Sequence, residues 1–355
     1  MKKKKRPTVR VAPTELKALI VRLLKAYDCA EALADCAATV FVEADLRGTG
    51  GQGIDYLPYI LDNLKKGNID PRASPSVARD VQAVALIDGH RGLGQPAAVL
   101  ASKLAARKAK QFGTAVVGVT NSTDIFMIGY YADLIAAEGL AALVFTSGPP
   151  LVHPYGGVER MLSTNPIAFG FPTGRAAPMI CDVSTSASSS WRIRQAAYHD
   201  ERVAAGTGID RKGKPTRSAK DIRKGAIGPL GGHKGFGLGL SVAVMSGLLV
   251  GSQVGPDLGG WQDEGPIGYF GHTFMAIDPA LLNPDADFAT AVGGYIDRIK
   301  GSKKAAGFQE ILIPGERSYR DRARNLSDGV PVLSATWRII GKLAGELDVR
   351  MPKTR

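Results

Sequence analysis

The chain has 355 residues, 45% of them hydrophobic and 22% charged, which excludes a fibrous or disordered protein and allows one large or two to three interleaved globular domains. Part of its formal net charge of +12 comes from the basic run at residues 2–6, which we interpret as a solvated terminus. No basic repeat interleaved with aromatic residues is present, so we expect no nucleic-acid partner and a field that favours small anions.

The cysteines and the apolar stretches indicate a cytoplasmic protein. Cys29, Cys36 and Cys181 are odd in number and lack metal-ligand spacing, so we expect reduced thiols, no disulfide framework and no metal site. The basic start is not followed by an apolar segment of a signal peptide. The longest apolar stretch, 238–250, is interrupted by glycine and serine, and we interpret it as a buried helix, so no membrane partner is expected.

The first part of the chain predicts helices and then an alternation of strand and helix. Apolar residues recur at helical spacing over 14–24 and 31–46, and again over 56–64 after a glycine-rich break at 48–53. Short apolar runs at 84–87 and 115–119 flank a helical segment at 95–112, which is the order of an α/β domain.

The second part continues the α/β pattern. The polar, basic stretch 199–224 is interpreted as a surface loop or lid. The remaining predicted elements are strands at 143–145, 167–170, 179–181, 272–277 and 311–313 and helices at 238–250, 288–300 and 335–347. No strand–GxGxxG–helix unit with an acidic residue about 20 positions later occurs, and no P-loop is present, so neither a Rossmann site nor a P-loop site is supported.

Several motifs, in a consistent order along the chain, resemble those of a known family. The segment 163–169 reads STNPIAF, and 182–186 reads DVSTS. Further matches are ADLRG at 44–48, PYGG at 154–157, PLGGHKGFG at 229–237 and IPGE at 313–316. Together they resemble the malate/L-lactate dehydrogenase family outside the Rossmann class, over nearly the whole chain.

The resemblance implies a fold, an activity and an assembly. The fold would be α/β and non-Rossmann, with a central nucleotide-binding sheet and with helices from the N- and C-terminal segments packed together. Residues 1–120 would form part of a substrate and dimerisation domain, 121–300 the NAD(P)-binding domain, and 301–355 a segment returning to the first domain. The family includes dehydrogenases and reductases of 2-oxo acids, 2-hydroxy acids and cyclic imino acids, so we expect a homodimer with NAD or NADP and a small anionic or zwitterionic substrate.

The resemblance also implies which residues bind the dinucleotide. They are Asp182, Val183, Ser184, Thr185, Ser186, His233, Lys234, Gly315, Glu316 and Arg317. Small hydroxyl residues and glycines let backbone amides approach phosphate oxygens, and a lysine adds a point charge. Taken alone, Ser184 or Ser186 is equally typical of a helix cap, and Lys234 of an exposed surface lysine.

The chain departs from the family where catalysis is expected. Gln52 stands where the family has a histidine that donates a proton, Tyr56 where it has an arginine that binds a carboxylate, and Asp124 where it has a second histidine. Because an amide cannot titrate, we expect Asp124 or His153 to handle the proton while Gln52 orients the substrate. Two hypotheses follow: an oxidoreductase with altered catalytic residues, or an inactive dinucleotide-binding sensor or partner subunit.

Overall fold

The computed structural model describes residues 7–49, 51–259 and 268–354; the basic run at 2–6 therefore lies outside the described residues. The helices are α1 Pro13–Lys25, α2 Glu31–Leu46, α3 Leu57–Lys65, α4 Gly94–Phe112, α5 Ile128–Ala136, α6 Ser190–Tyr198, α7 Ala219–Lys224, α8 His233–Ser246, α9 Pro279–Leu282, α10 Phe288–Gly301, α11 Glu316–Asp328 and α12 Ser334–Glu346. The strands are β1 Thr8–Val11, β2 Ser76–Val81, β3 Val84–Asp88, β4 Thr114–Ser122, β5 Ala141–Thr146, β6 Ile167–Phe171, β7 Met179–Val183, β8 Gly208–Ile209, β9 Pro215–Thr216, β10 Ala226–Ile227, β11 Phe270–Ile277 and β12 Val330–Leu333.

A seven-stranded mixed sheet forms the centre of the molecule, in the order β2-β3-β4-β11-β5-β6-β7. Among these strands only the pair β3–β4 is parallel, so the sheet is not the doubly wound parallel sheet of a Rossmann domain. Because β11 is antiparallel to both neighbours, β4 and β5 run in the same direction and end at the same edge, where β11 begins. The predicted non-Rossmann α/β fold is confirmed.

Both ends of the chain contribute to one helical core. Pro13 occupies the first turn of α1, and the leucines and isoleucine of 16–24 recur at i, i+3, i+4 spacing, so one face of the helix is fully buried. This face packs with α2, α3 and α12, while β1 pairs antiparallel with β12. The predicted packing of the N- and C-terminal segments is therefore confirmed. A second core lies between the central sheet and helices α4 and α5.

Three predicted elements differ from the structure. Residues 311–313 form no strand, because this short apolar run leads directly into α11, whose first residue, Glu316, accepts a hydrogen bond from the Ile313 N–H at 3.2 Å. Helix α11 itself was not predicted, because Asn325 is its only buried residue and it has no apolar stripe. The stretch 199–224 is not a plain loop, since it contains α7, and β8 and β9 within it pair with β10 in a small sheet.

Helix α8 is less buried than its composition predicts. The stretch His233–Val250 has a mean hydropathy of 1.3, is long and apolar enough to cross a membrane by length and composition, and is only 39% buried. Leu238, Leu240 and Val244 are exposed on α8 itself, and Leu248 and Leu249 just after it. The prediction of a buried helix is thus wrong for the chain taken alone, because none of the described residues covers one of its apolar faces.

The division of the chain at residues 120 and 300 stays a prediction. Its first boundary falls within β4, in the sheet core, and its last segment contains α11, β12 and α12.

Candidate active site

An open cleft of about 640 Å³ lies between the helical core and the edge of the central sheet where β4 and β5 end. Its walls come from the loop after α2, the segments after β4 and β5, the end of β7 and the segment entering α11. Of the residues predicted for the site, it is lined by Gln52, Tyr56, Asp124, Asp182, Val183, Ser184, Gly315 and Arg317. The fold therefore brings eight predicted residues, from four separate segments, to one place.

The loop that carries Gln52 is shaped by two glycines with no room for a side chain. Gly51 has φ +89°, and a Cβ there would lie 2.0 Å from Cδ1 of Trp191. A Cβ on Gly53 would lie 2.1 Å from Oδ1 of Asp45, whose Oδ2 accepts the Ile54 N–H at 2.8 Å. Burial raises the pKa of Asp45 to about 8. The backbone around Gln52 is thus held between an indole ring and a buried carboxyl group.

Tyr56 lies between a positive and a negative side chain. The guanidinium carbon of Arg194 is 4.8 Å from the centre of the Tyr56 ring, and the Tyr56 hydroxyl is 3.4 Å from Oγ of Ser190. Burial raises the pKa of Tyr56, the charge of Arg194 opposes that rise, and the charge of Asp124 adds to it. A guanidinium group therefore lies beside Tyr56, on α6.

Asp124 follows β4 directly, in a tight turn. Its Oδ1 accepts the Phe126 N–H at 2.8 Å, and Phe126 has φ +59°. Burial raises the pKa of Asp124 to about 6, and the backbone hydrogen bonds from Phe126 and Ile125 oppose that rise. A carboxyl group with this pKa exchanges a proton near neutral pH, as a general acid or base requires.

Asp182 is a second carboxyl group in the cleft with a raised pKa. Its Oδ2 accepts the Gly129 N–H at 2.8 Å, in the first turn of α5, and burial raises its pKa to about 6. Across the cleft, Gly315 has φ +93°, and a Cβ there would be 3.2 Å from the backbone N and O of Ile180. The two segments therefore approach closely through their backbones.

Six of the predicted residues do not line the cleft. Thr185 and Ser186 are buried, and their hydroxyls donate to backbone carbonyls: Thr185 to Asn165 at 3.0 Å and Ser186 to Ser188 at 2.8 Å. The helix after this motif is capped by Ser189, whose Oγ accepts the Arg192 N–H at 3.3 Å, rather than by Ser184 or Ser186.

Glu316, His153, His233 and Lys234 are the other four. Glu316 accepts a hydrogen bond from the Lys300 ammonium group. His153 contacts the carbonyl of Pro154 through Nδ1 at 2.8 Å, and His233 packs edge-on against Tyr155. His233 and Lys234 are exposed at the start of α8, and the Leu230 N–H just before them donates to the Thr185 carbonyl at 2.9 Å. The segment entering α8 thus runs beside residues 184–186. The roles predicted for Glu316, His153, His233 and Lys234 stay predictions.

Arg47 and Ser147 line the cleft but were not predicted as site residues. Arg47 is 8% exposed and pairs with Asp133 at 2.5 Å and with Glu43 at 3.3 Å, so two carboxylates already neutralise it. The Ser147 hydroxyl is buried and has no hydrogen-bond partner among the described residues. Arg47 lies in the ADLRG motif and was open to prediction, whereas no local pattern marks Ser147. The described residues contain no cluster of three or more His, Cys, Asp or Glu suited to a metal ion.

Comparison with known proteins identifies the family. The model of the malate/L-lactate dehydrogenase family matches residues 11–340. The chain belongs to this family. It is 33% identical over 339 residues to L-sulfolactate dehydrogenase of Methanocaldococcus jannaschii, covering 96% of this chain and 97% of that protein.

Two further relatives support the assignment. The chain is 29% identical to Delta(1)-pyrroline-2-carboxylate/Delta(1)-piperideine-2-carboxylate reductase of Pseudomonas putida, covering 95% of this chain and 97% of the relative. The crystal structure of malate dehydrogenase from Entamoeba histolytica superposes with a TM-score of 0.92 at 28% identity, covering 98% of this chain and all of that one. The protein is therefore a nicotinamide-dependent dehydrogenase or reductase of the malate/L-lactate dehydrogenase family.

Proposed function

We propose that this enzyme transfers a hydride between NAD or NADP and C2 of a small 2-oxo acid, 2-hydroxy acid or cyclic imino acid, and that altered catalytic residues favour the imino acid. The observation that carries the proposal is Asp124, a carboxyl group with a pKa near 6 in the cleft wall, together with Tyr56, which also lines the cleft and has Arg194 over its ring. At neutral pH Asp124 is mostly ionised. It then attracts a protonated imine and repels a second carboxylate.

The charges around Tyr56 suit a zwitterion. A cyclic imino acid carries a positive iminium nitrogen and a negative carboxylate. Asp124 in the cleft wall suits the first, and Arg194, which lies over the ring of the cleft residue Tyr56, suits the second. Arg194 makes no ion pair with a carboxylate among the described residues, so its charge is available. Arg47, by contrast, is neutralised by Asp133 and Glu43.

The proton balance also separates the two substrate classes. Hydride addition to an iminium carbon yields an amine directly, so Asp124 need only be ionised to hold the cation. Reduction of a 2-oxo acid makes an alkoxide that must receive a proton, which only protonated Asp124 can give. Gln52 cannot titrate and contributes an amide hydrogen bond that orients the substrate. Asp124 is favoured over His153 as the proton-handling group, because His153 is not among the cleft residues.

The cleft walls fit a dinucleotide. Asp182, Val183, Ser184, Gly315 and Arg317 would hold it, and the buried hydroxyl of Ser147, which has no partner among the described residues, offers a hydrogen bond to a bound ligand. When bound, the nicotinamide supplies or accepts the hydride. His233 and Lys234, which follow the segment beside residues 184–186, would contact the part of the cofactor outside the cleft.

The test is nicotinamide absorbance with a substrate panel, using both NADH and NADPH. We expect turnover of Delta(1)-pyrroline-2-carboxylate or Delta(1)-piperideine-2-carboxylate and poor turnover of malate and L-lactate. Efficient malate oxidation would contradict the proposed substrate class. The second candidate, a sensor or partner subunit without catalysis, is favoured by Gln52 and Asp124 standing at family histidine positions. It predicts cofactor binding with no turnover of any substrate in the panel.

We further propose a cytoplasmic homodimer in which a second copy covers the apolar face of α8, formed by Leu238, Leu240 and Val244 with Leu248 and Leu249. An exposed apolar face of this kind is typical of a subunit interface. Val244→Asp should convert the dimer to a monomer in sedimentation velocity. A wild-type protein that sediments only as a monomer at micromolar concentration would contradict the assembly.

A further inference from the structure

His272 lies behind the cleft rather than in its wall. It is fully buried in β11, which separates β4 from β5, and in the strand register it faces Val119 on one side and Thr146 on the other. Its Nδ1 lies 2.7 Å from the Thr146 hydroxyl oxygen, and its Nε2 lies 3.1 Å from the Thr123 carbonyl oxygen. The ring thus joins the ends of β4 and β5 where Asp124 and Thr146 enter the cleft.

These contacts determine where the protons lie. A carbonyl oxygen only accepts hydrogen bonds, so Nε2 of His272 must carry a hydrogen and donate it to Thr123. Burial lowers the pKa of His272 to about 3, which leaves the ring neutral at physiological pH and Nδ1 without a hydrogen. Nδ1 is therefore an acceptor, and the Thr146 hydroxyl must donate to it.

The alternative for Thr146 is unfavourable. Its hydroxyl oxygen is also 3.1 Å from the Ser147 carbonyl, but a hydroxyl has one hydrogen. If that hydrogen pointed at Ser147, lone pairs on Thr146 and on Nδ1 of His272 would face each other at 2.7 Å. The shorter contact to His272 therefore takes the hydrogen, and Thr146 keeps only its lone pairs for any ligand.

We propose that His272 is a positioning residue that fixes Thr146 as a hydrogen-bond acceptor in the cleft, so that the cleft selects a ligand group with an N–H or O–H at that point. This inference rests on the proposed function, since the ligand is the cofactor or the substrate of the same cleft. The donor is either the carboxamide N–H of the nicotinamide or the N–H or hydroxyl at C2 of the substrate.

The primary test compares Thr146→Val, which removes the acceptor with little change of shape, with Thr146→Ser, which keeps it. Thr114→Val is the matched control, because Thr114 donates to the Ala276 carbonyl at the far end of β4. For each variant we would measure the Kd of NADH, the Kd of its 3-acetylpyridine analogue, which lacks the carboxamide N–H, and KM and kcat for the substrate.

We expect Thr146→Val to weaken binding by about 5- to 50-fold, with Thr146→Ser and Thr114→Val close to wild type. If the cofactor is the donor, the Kd of NADH rises and that of the analogue does not. If the substrate is the donor, its KM rises while both Kd values hold. If Thr146→Val had wild-type Kd and KM values, this inference would be overturned and the proposed function would stand. A wild-type protein that binds no dinucleotide would instead overturn the proposed function.

The role of His272 is tested separately. His272→Leu should reproduce the defect of Thr146→Val, with no further loss in the double variant, while His272→Gln retains an acceptor and a donor. A folded His272→Leu with wild-type binding would contradict the positioning role. Nitrogen NMR of labelled histidine gives a measurement that needs no variant: we expect a neutral ring with hydrogen on Nε2 throughout the neutral pH range. A ring that carries its hydrogen on Nδ1, or that titrates in this range, would overturn the inference.

Discussion

The two walls of the cleft are built in different ways. The cofactor wall, 182–184 with Gly315 and Arg317, lies in or next to two motifs that resemble those of the family, and its approach at Gly315 is through backbone atoms, with a Cβ position 3.2 Å from the backbone of Ile180. The substrate wall, 51–56 with Asp124, contains the three positions at which we expect a departure from the family. There the close contacts involve side chains: Trp191 lies against the Gly51 backbone, the Arg194 guanidinium lies over the Tyr56 ring, and the Trp191 indole N–H donates to Asp55 at 2.9 Å.

We therefore expect the family chemistry to be retained at the first wall and changed at the second. A dinucleotide bound through backbone and small residues keeps its site as long as the chain path is kept. A proton transfer or a carboxylate contact depends on individual titratable or charged side chains, so substitutions there change the substrate without disturbing the fold. The close approach of Trp191 to Gly51 leaves no room for a side chain at position 51.

The largest expected effect separates the two walls directly. Asp124→Asn should lower kcat by about 100- to 10,000-fold, because the variant retains shape but loses the charge and the proton, and it should leave the cofactor Kd unchanged. Asp182→Asn is the matched control, since Asp182 also has a pKa of about 6 but lies in the cofactor wall. We expect Asp182→Asn to raise the cofactor Kd instead. Normal kcat in Asp124→Asn would remove Asp124 from catalysis.

The pH dependence of the same enzyme distinguishes its substrates. Burial raises the pKa of Asp124 to about 6, so the group is protonated below that pH and ionised above it. For an imino acid, kcat/KM should rise as the pH increases through about 6, because ionised Asp124 holds the iminium. For a 2-oxo acid it should fall over the same range, by about tenfold per pH unit, because the acid is lost. If kcat/KM changed in the same direction with pH for both substrates, the role assigned to Asp124 would be contradicted.

On the cofactor wall we expect Lys234→Ala to weaken dinucleotide binding by about 10- to 150-fold through loss of one charge-assisted contact. Lys212→Ala, an exposed lysine outside the family motifs, serves as the control for net charge. Fluorescence titration with NADH and NADPH gives both Kd values. An unchanged Kd would show that Lys234 does not bind the dinucleotide, an outcome that is compatible with its position outside the cleft.

The contact between Gly51 and Trp191 predicts that a side chain added at position 51 lowers the stability of the protein. Gly51→Ser should lower the free energy of unfolding by about 1–3 kcal/mol, because its Cβ meets Trp191 and its φ is positive. Gly67→Ser isolates the second cause, since Gly67 has φ +71° and nothing within 4 Å of its Cβ position. Denaturant unfolding should show a smaller loss for Gly67→Ser, and Trp191→Gly should restore part of the loss in Gly51→Ser. Equal losses at both glycines would argue against the steric contact.

The smallest expected effect is a gain. Restoring the family residues with Gln52→His and Tyr56→Arg should raise activity on 2-oxo acids by less than about tenfold, because the new arginine lies beside Arg194 and like charges repel. Adding Arg194→Gln should increase the gain. Steady-state kinetics with pyruvate and oxaloacetate would check this. Loss of 2-oxo acid activity in the triple variant would contradict the comparison of the two walls.

The sequence by itself predicted the fold class, the motifs assigned to the cofactor and the positions where we expect catalysis to depart from the family. Helical spacing over 14–24 and the runs at 84–87 and 115–119 predict their elements because each pattern is local. The prediction was wrong at 311–313, where three apolar residues lead into a helix, and it missed α11, which has no apolar stripe.

Only the tertiary structure decided which side chains meet. Arg194 is 138 positions from Tyr56 in the chain, and His272 is 126 positions from Thr146, so no local spacing relates them. Nothing in the sequence around Ser147 indicates that its hydroxyl is buried without a partner. The pKa of Asp124 near 6 likewise depends on burial by segments distant in sequence. Charge, burial and hydrogen bonding in the cleft come from the folding of separate segments onto one sheet edge, and a residue's own neighbours in the chain do not specify them.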